Sequence, residues 1–339
     1  MKTLAALTLV LFIASCGPAT TSPSPSPSAP SSLAPTATPA PTASPTQSVV
    51  ATPTGTPISQ PTGVALSAPS GDVVWVLVGG TRLFRSSDRG VNWQERGIPS
   101  VDRIGDIVFV SDREGWLQSP ASPEPPCQRQ AVAIYHSADG AATWERAYQS
   151  DVADTMCKGG LSFADAQRGF LSLSAPNSNP IVSRTADGGR TWTRSTPLPN
   201  PPGSSAASAV TGTGRVKSFG STVLVSAFGA AGGTPVYAFR STDGGATWSY
   251  SSTGPQQQIE IVFLSATRWL QVFLPNQSSE TTDGGATWHA FTTDYSQAAP
   301  VSPQIVFGDA NVGYATVRGS IQRTTDGGAH WTGIKTPGT

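Results

Sequence analysis

Arg240-Ser-Thr-Asp-Gly-Gly-Ala-Thr-Trp248 is the stretch whose reading decides the fold, because six variants of it recur along the chain. Their aspartates are Asp88, Asp139, Asp187, Asp243, Asp283 and Asp326. A tryptophan stands five residues after each: Trp93, Trp144, Trp192, Trp248, Trp288 and Trp331. A Ser or Thr stands two residues before each (Ser86, Ser137, Thr185, Ser241, Thr281, Thr324). A glycine stands two residues after it in five copies; the second has Ala141 there and Gly140 one place earlier. Successive aspartates are 51, 48, 56, 40 and 43 residues apart, a period that signals a repeat architecture.

Ser/Thr-x-Asp-x-Gly reads as a tight turn. The carboxylate is expected to accept from backbone N–H groups two residues on, and glycine supplies the positive φ. Tyr237-Ala-Phe-Arg240 and Ser320-Ile-Gln-Arg323 alternate like strands on its N-terminal side, and the residues from the tryptophan onward begin a second strand. Each copy is therefore a β-hairpin. A carboxylate occupied by turn N–H groups is a poor acid or base, so the aspartates read as structural. One large ring per unit at a fixed place points to packing between units.

The unit is larger than the hairpin. Phe109 is followed seven residues later by Trp116, Phe163 by Phe170, Phe307 by Tyr314, and Phe263 six later by Trp269. Each context is an apolar strand, a polar turn and an aromatic strand. Repeats one (from Val64) and four (Val216 to Val225) fit more loosely. Four strands per unit, A to D, with the box at the C–D turn, make an all-β β-propeller of six blades. A seventh blade would have to hide in the Pro/Ser/Gly-rich stretch 193–214.

The pattern Ser/Thr-x-Asp-x-Gly-x-Thr-Trp resembles the Asp-box, or BNR, repeat of sialidase-like propellers. Copy one departs with Asn92-Trp93 and copy six with His330-Trp331. The form Thr-x-Asp-Gly-Gly-x-Thr-Trp with preceding Gly-aromatic pairs is most similar to photosystem II assembly/stability factors and their bacterial relatives. That resemblance implies a fold and a scaffold role at a membrane, but not one activity. The sialidase members require three arginines, a Tyr-Glu pair and an Arg-Ile-Pro motif. Gly97-Ile-Pro99 is the nearest approach to the last. The recurring arginines Arg85, Arg184, Arg240 and Arg323 sit at one repeat register and read as solvated or capping groups.

Residues 1–15 read as an export leader, with Lys2 before an apolar run from Leu4 to Ala14. Eleven helical residues span only about 16 Å, short of the ~30 Å hydrocarbon core. Ile13-Ala14-Ser15-Cys16-Gly17 resembles a bacterial lipobox, which implies cleavage before Cys16 and its lipidation. Two or more acyl chains are enough for stable anchoring. Residues 16–62 carry no charge, are dominated by Pro, Ser, Thr and Ala, and read as an extended stalk. Residues 63–339 are the propeller. An extracytoplasmic, membrane-tethered monomer is the expectation. Lys+Arg and Asp+Glu balance at 21 each, with no basic run, which excludes a nucleic-acid footprint.

In an antiparallel blade the A–B and C–D turns share one face, and the B–C and D–A loops share the other. The long loops, 119–130 and 195–214, fall on the second face, so specificity is expected there. Cys127 and Cys157 fall in such loops, and in an exported chain they read as a disulfide. Residues entering strand A line the expected mouth. They are Asp102, Arg103 and Asp106 in blade two, Asp151, Asp154 and Lys158 in blade three, Arg215 and Lys217 in blade four, Glu260 in blade five, and Asp294 and Tyr295 in blade six. Lys158, Arg215 and Lys217 are expected to form a basic sector suited to a peptide or an acidic ligand, a glycan included. His136, His289 and His330 all flank boxes, and no metal site or cofactor is expected. The leading expectation is a non-enzymatic protein- or peptide-binding module; the alternative is a sialidase-type glycosidase.

Overall fold

The computed structural model describes residues 63–147, 155–204, 206, 208–230, 234–295, 304–317 and 319–339. Cys16, the leader, the stalk, Asp151 and Asp154 lie outside them. Among the described residues, 24 strands form six antiparallel sheets of four, each built from consecutive strands. The inner A strands are Val64–Ser67, Asp106–Phe109, Cys157–Phe163, Val210–Phe219, Val262–Phe263 and Ile305–Phe307. The stretch 193–214 is shared between the last strand of blade three, Thr193–Pro197, and the start of blade four. It holds no seventh blade, and the count is six.

The six boxes share one hydrogen-bond pattern. The Ser/Thr hydroxyl donates to Oδ1 of the aspartate at 2.7–2.9 Å. The N–H two residues after the aspartate donates to that hydroxyl at 2.8–3.0 Å. The expected partner of this N–H was the carboxylate, but the hydroxyl is nearer and takes it. The carboxylate instead reaches four residues on. Oδ1 accepts that backbone N–H at 2.9–3.0 Å. Oδ2 accepts from the same residue's side chain at 2.5–2.7 Å. Asn92 and His330 fill that role where the other copies use threonine, so the two deviant boxes are chemical equivalents. The second copy keeps the turn because Gly140 and Ala141 both adopt positive φ, 74° and 62°.

Blades pack through aromatic rings and a close approach by glycine. Trp75 of blade one stacks on Phe109 of blade two at 3.7 Å, and Phe109 meets the box tryptophan Trp144 edge-on at 6.2 Å. Trp116, Phe163 and Trp192 repeat this between blades two and three. A Cβ at Gly115, Gly169 or Gly313 would overlap the ring of Phe109, Phe163 or Phe307. That overlap accounts for the glycine before Trp116, Phe170 and Tyr314, since a packed core cannot yield the space. The ring closes with no shared strand. Gln304 Oε1 accepts from Leu66 N at 2.7 Å, the Tyr314 hydroxyl donates to Gly71 O at 3.1 Å, and Arg323 donates to Arg89 O at 2.8 Å.

Cys127 and Cys157 form a disulfide, Cα–Cα 5.2 Å, joining the B–C loop of blade two to the first strand of blade three. Replacing both cysteines with serine opens a loop of sequence separation 30. Denaturant unfolding is expected to show a loss of roughly 3–4 kcal/mol; a change below about 1 kcal/mol would mean that the neighbouring contacts hold the loop alone.

The boxes also set the acid limit. The N–H of Asn92, then the Ser86 hydroxyl and the Asn92 amide, hold Asp88 down to about 2. At Asp326 partial burial pushes upward, but the N–H and ring of His330 outweigh it and leave the carboxyl at about 2. The Thr247 hydroxyl leads the depression of Asp243. A carboxyl depressed on folding contributes fully above its unfolded value, near 3.9, and loses that contribution as pH falls through the folded value. Melting temperature is expected to be level from pH 6 to about 4 and to drop steeply toward about 2. A level profile down to about pH 2 would show that the boxes contribute nothing. His330, raised by its bond to Asp326 and by that charge, has the opposite sign. Its contribution is complete below about 6.5 and fades as pH rises through the raised value.

Candidate functional site

The six A strands surround an axial cavity of about 430 Å³. Its wall runs from the level of Arg215, Glu260 and Gln304 to the A–B turn residues Pro69, Val110, Ala164 and Gly308. The cavity thus extends toward the Asp-box side, whereas the sequence directs attention to the opposite rim.

Arg215 lies across the ring axis. From blade four its Nη1 donates to Leu66 O of blade one at 2.9 Å, and its Nη2 donates to Asp106 and to Ile107 O of blade two. Blades four and one are opposite in a ring of six, so the guanidinium is a strut across the diameter. Asp106, expected at an open mouth, is its ion-pair partner. Glu260 stands beside this pair and accepts from the Ser226 hydroxyl at 3.0 Å. Burial pushes its carboxyl upward, against the Ser226 hydroxyl and the Arg215 charge. Gly214 lets Glu260 in, since a Cβ there would collide with its carboxylate.

Lys217 stands alone in this wall. Pairing with the B strand gives the register: Lys217 faces Leu224 as Ser67 faces Trp75, Val108 faces Trp116, Ser162 faces Phe170, Val262 faces Leu270 and Val306 faces Tyr314. Five blades place a small neutral side chain where blade four places an ammonium. Lys217 is exposed and lines the cavity. Among the described residues it makes no hydrogen bond or ion pair. The protein walls around it, and then the Arg215 charge, lower its pKa from the ordinary lysine value.

The expected basic sector does not form on the rim. Lys158 is buried, and its ammonium is held by the carbonyls of Gln130, Thr155 and Met156 at 2.5, 3.1 and 3.1 Å. It pins the start of blade three to the disulfide-bearing loop, because a buried ammonium needs acceptors on several sides. Tyr295 is fully buried; its hydroxyl donates to Thr316 O at 3.2 Å and its ring meets Trp331 edge-on. An aromatic ring at that point packs inward between blades, which removes it from the mouth. Asp294 accepts from the N–H of Trp331 at 2.7 Å. Asp102 and Arg103 are exposed, as a rim position requires. Of the expected group, Asp106, Arg215, Lys217 and Glu260 are brought together, Asp102, Arg103, Lys158, Asp294 and Tyr295 are not, and Asp151 and Asp154 lie outside the described residues.

Residues 239–250, the fourth box, match the BNR/Asp-box repeat family model. No curated protein matches the chain. The solved structures include a protein of unknown function from Dyadobacter fermentans, 14% identical with a TM-score of 0.51, over 85% of this chain and 96% of that one. They also include YCF48 bound to D1 peptide, 14% identical with a TM-score of 0.47, over 82% of each chain. An α-L-arabinofuranosidase from Fusarium graminearum is 12% identical with a TM-score of 0.49, over 82% of this chain and 92% of that one. The matched repeat, its five variants and the six four-stranded sheets make this chain a six-bladed β-propeller with an Asp-box at each C–D turn.

Proposed function

We propose that this protein is a non-catalytic binding module, tethered at the outer face of a membrane, that takes an acidic group of a partner polypeptide into its axial cavity. The observation that carries this reading is Lys217: a cation without a partner among the described residues, lining a cavity of about 430 Å³, where the other blades have Ser or Val. An ammonium kept partly out of bulk water gains most from a carboxylate that arrives with it. The inner edges of the A strands line the same cavity with backbone donors and acceptors, which suits an extended peptide. The tether rests on the lipobox-like residues around Cys16 and on the uncharged stalk. It places the propeller clear of the bilayer, within reach of neighbouring membrane proteins.

A second reading has one observation in its favour. Glu260, with its carboxyl pushed up by burial, stands beside the Asp106–Arg215 pair, and glycoside hydrolysis uses one protonated and one ionised carboxyl.

Peptides bearing Asp or Glu at varied positions, in solution with the full chain, separate the two readings. Binding is expected for a subset, weakened about tenfold or more by Lys217→Glu and less by Lys217→Met. Equal affinity in the folded Lys217→Glu variant would overturn the reading. Turnover of a sialoside or another fluorogenic glycoside, lost in Glu260→Gln, would replace it with the hydrolase. In a bacterial host, Cys16→Ser is expected to abolish fatty-acyl labelling and release the protein from the membrane fraction. Unchanged membrane association of that variant would refute the tether.

A further inference from the structure

The position just before the box ties one blade to the next, directly or through a relay, in blades one, four, five and six. In blade two His136 bonds Glu114 and Glu145 of its own blade, and Glu145 reaches Arg190 of blade three at 3.7 Å, whereas in blade three the tie is missing. Arg85 of blade one donates to Asp112, in the A–B turn of blade two, at 3.3 Å. Arg240 of blade four donates to Ala266 O, in the A–B turn of blade five, at 3.1 Å. Arg323 of blade six donates to Arg89 O of blade one at 2.8 Å. In blade five Glu280 holds Arg268, which donates to Ala310 O and Gly327 O of blade six. Arg184 of blade three occupies the same register, facing Phe170 as Arg85 faces Trp75. Among the described residues it forms no hydrogen bond or ion pair, and its Nε is buried without a partner.

The cause is the length of the turn opposite. The A–B turns of blades two, three, five and six occupy residues 110–114, 164–168, 264–268 and 308–312, five in each. That of blade four is Gly220 and Ser221 alone, between strands that end at Phe219 and begin at Thr222. It supplies no counterpart of the Ala266 carbonyl. A cleft of about 430 Å³ takes the place of the missing contact.

Arg184 and Arg168 both line this cleft, and no Asp or Glu does. Arg168 spends its Nε on Asp165 at 2.7 Å and remains largely exposed. Thr193, Ser221 and Thr242 also line it, and their hydroxyls make no hydrogen bond among the described residues. A guanidinium fork suits planar or tetrahedral oxyanions, and free hydroxyls beside it suit a ligand that is itself rich in hydroxyls. The volume falls within the range of small-ligand pockets.

We propose that this cleft between blades three and four, on the Asp-box side, binds an anionic saccharide, a sugar carrying a carboxylate or a sulfate. Arg184 takes the charged group, Arg168 adds to the field, and the three hydroxyls meet the sugar ring. The cleft shares only Ser218 with the axial cavity, and neither arginine lines that cavity nor does Lys217 line the cleft, so either site can fail without the other.

Calorimetry on the full chain with uronate and sulfated oligosaccharides, each beside its neutral parent, tests the assignment. The charged sugars are expected to bind about tenfold or more tightly than their parents. Arg184→Gln should remove that advantage. Ser221→Trp should also remove it, by filling the cleft while leaving the charge in place. Arg85→Gln, which breaks the equivalent clasp at another junction, should keep it and so control for damage to the ring. Undiminished binding in a folded Arg184→Gln or Ser221→Trp variant overturns the site. Equal binding of the neutral parents does so too, as does a preference for a phosphoserine peptide or for inorganic sulfate alone over the sugars.

Discussion

The structure depends on a carboxylate that is satisfied entirely within its own turn. In each box the aspartate accepts a hydroxyl, a backbone N–H and a side-chain donor, all from residues within four positions of it. The turn therefore needs nothing from its neighbours. Six copies can be spaced 40 to 56 residues apart, with unlike sequences between them, and still close the third and fourth strands of every blade in one way. The chemistry is permissive where geometry allows: Thr, Asn and His all serve as the second donor. It is strict where geometry does not, because two successive residues must hold positive φ in each copy.

Identical turns would stack into an open spiral without something to join the blades. The joints are largely side-chain contacts, with no shared strand, supplemented by backbone bonds such as Thr196 N–H to Ala246 O at 3.0 Å between blades three and four. Aromatic pairs such as Trp75–Phe109 and Trp116–Phe163 carry part of the load. Such pairs contribute on the order of 1 kcal/mol each beyond their buried area. The guanidinium clasps, the Arg215 strut, the Gln304 and Tyr314 bonds across the closure and the Cys127–Cys157 bridge add to them. Arg215 differs in kind, because it fixes the distance between opposite blades instead of adjacent ones.

Blade four is where the repeat is broken most, and the unmatched chemistry gathers there. Its A strand, Val210–Phe219, has ten residues, and irregular register between Thr213 and Val216 brings Arg215 onto the axis. The same strand supplies Lys217, and the two-residue turn after it leaves Arg184 without a partner. Lys217 replaces a small neutral residue of the other blades, and Arg184 lacks the tie made from its register in blades one, four and six; both mark where the repeat's rule was suspended. The looser fit of repeat four in the sequence is the visible trace of this.

Local patterns were legible in the residues alone. The fold class, the blade count, the hairpin at each box, the face carrying the variable loops and the Cys127–Cys157 pairing all depend on spacings within a few residues, on strand parity or on export chemistry. Even there one detail needed coordinates: whether the hydroxyl or the carboxylate takes the glycine N–H turns on tenths of an ångström. The site was legible only in part. Asp106, Arg215, Lys217 and Glu260 do converge, while Lys158 and Tyr295, at similar positions before or within an A strand, are buried in joints between blades. Strand parity gives the end of the blade at which a residue lies, but not whether its side chain turns to the axis or into the neighbouring sheet. That choice belongs to blade twist, to the reach of Arg215 across the ring and to the length of a turn one blade away. The sequence by itself determined the repeating unit, because its interactions are local. Only the tertiary structure decided which charged groups are satisfied and which are left facing a cavity, because their partners lie across the ring or in the next blade.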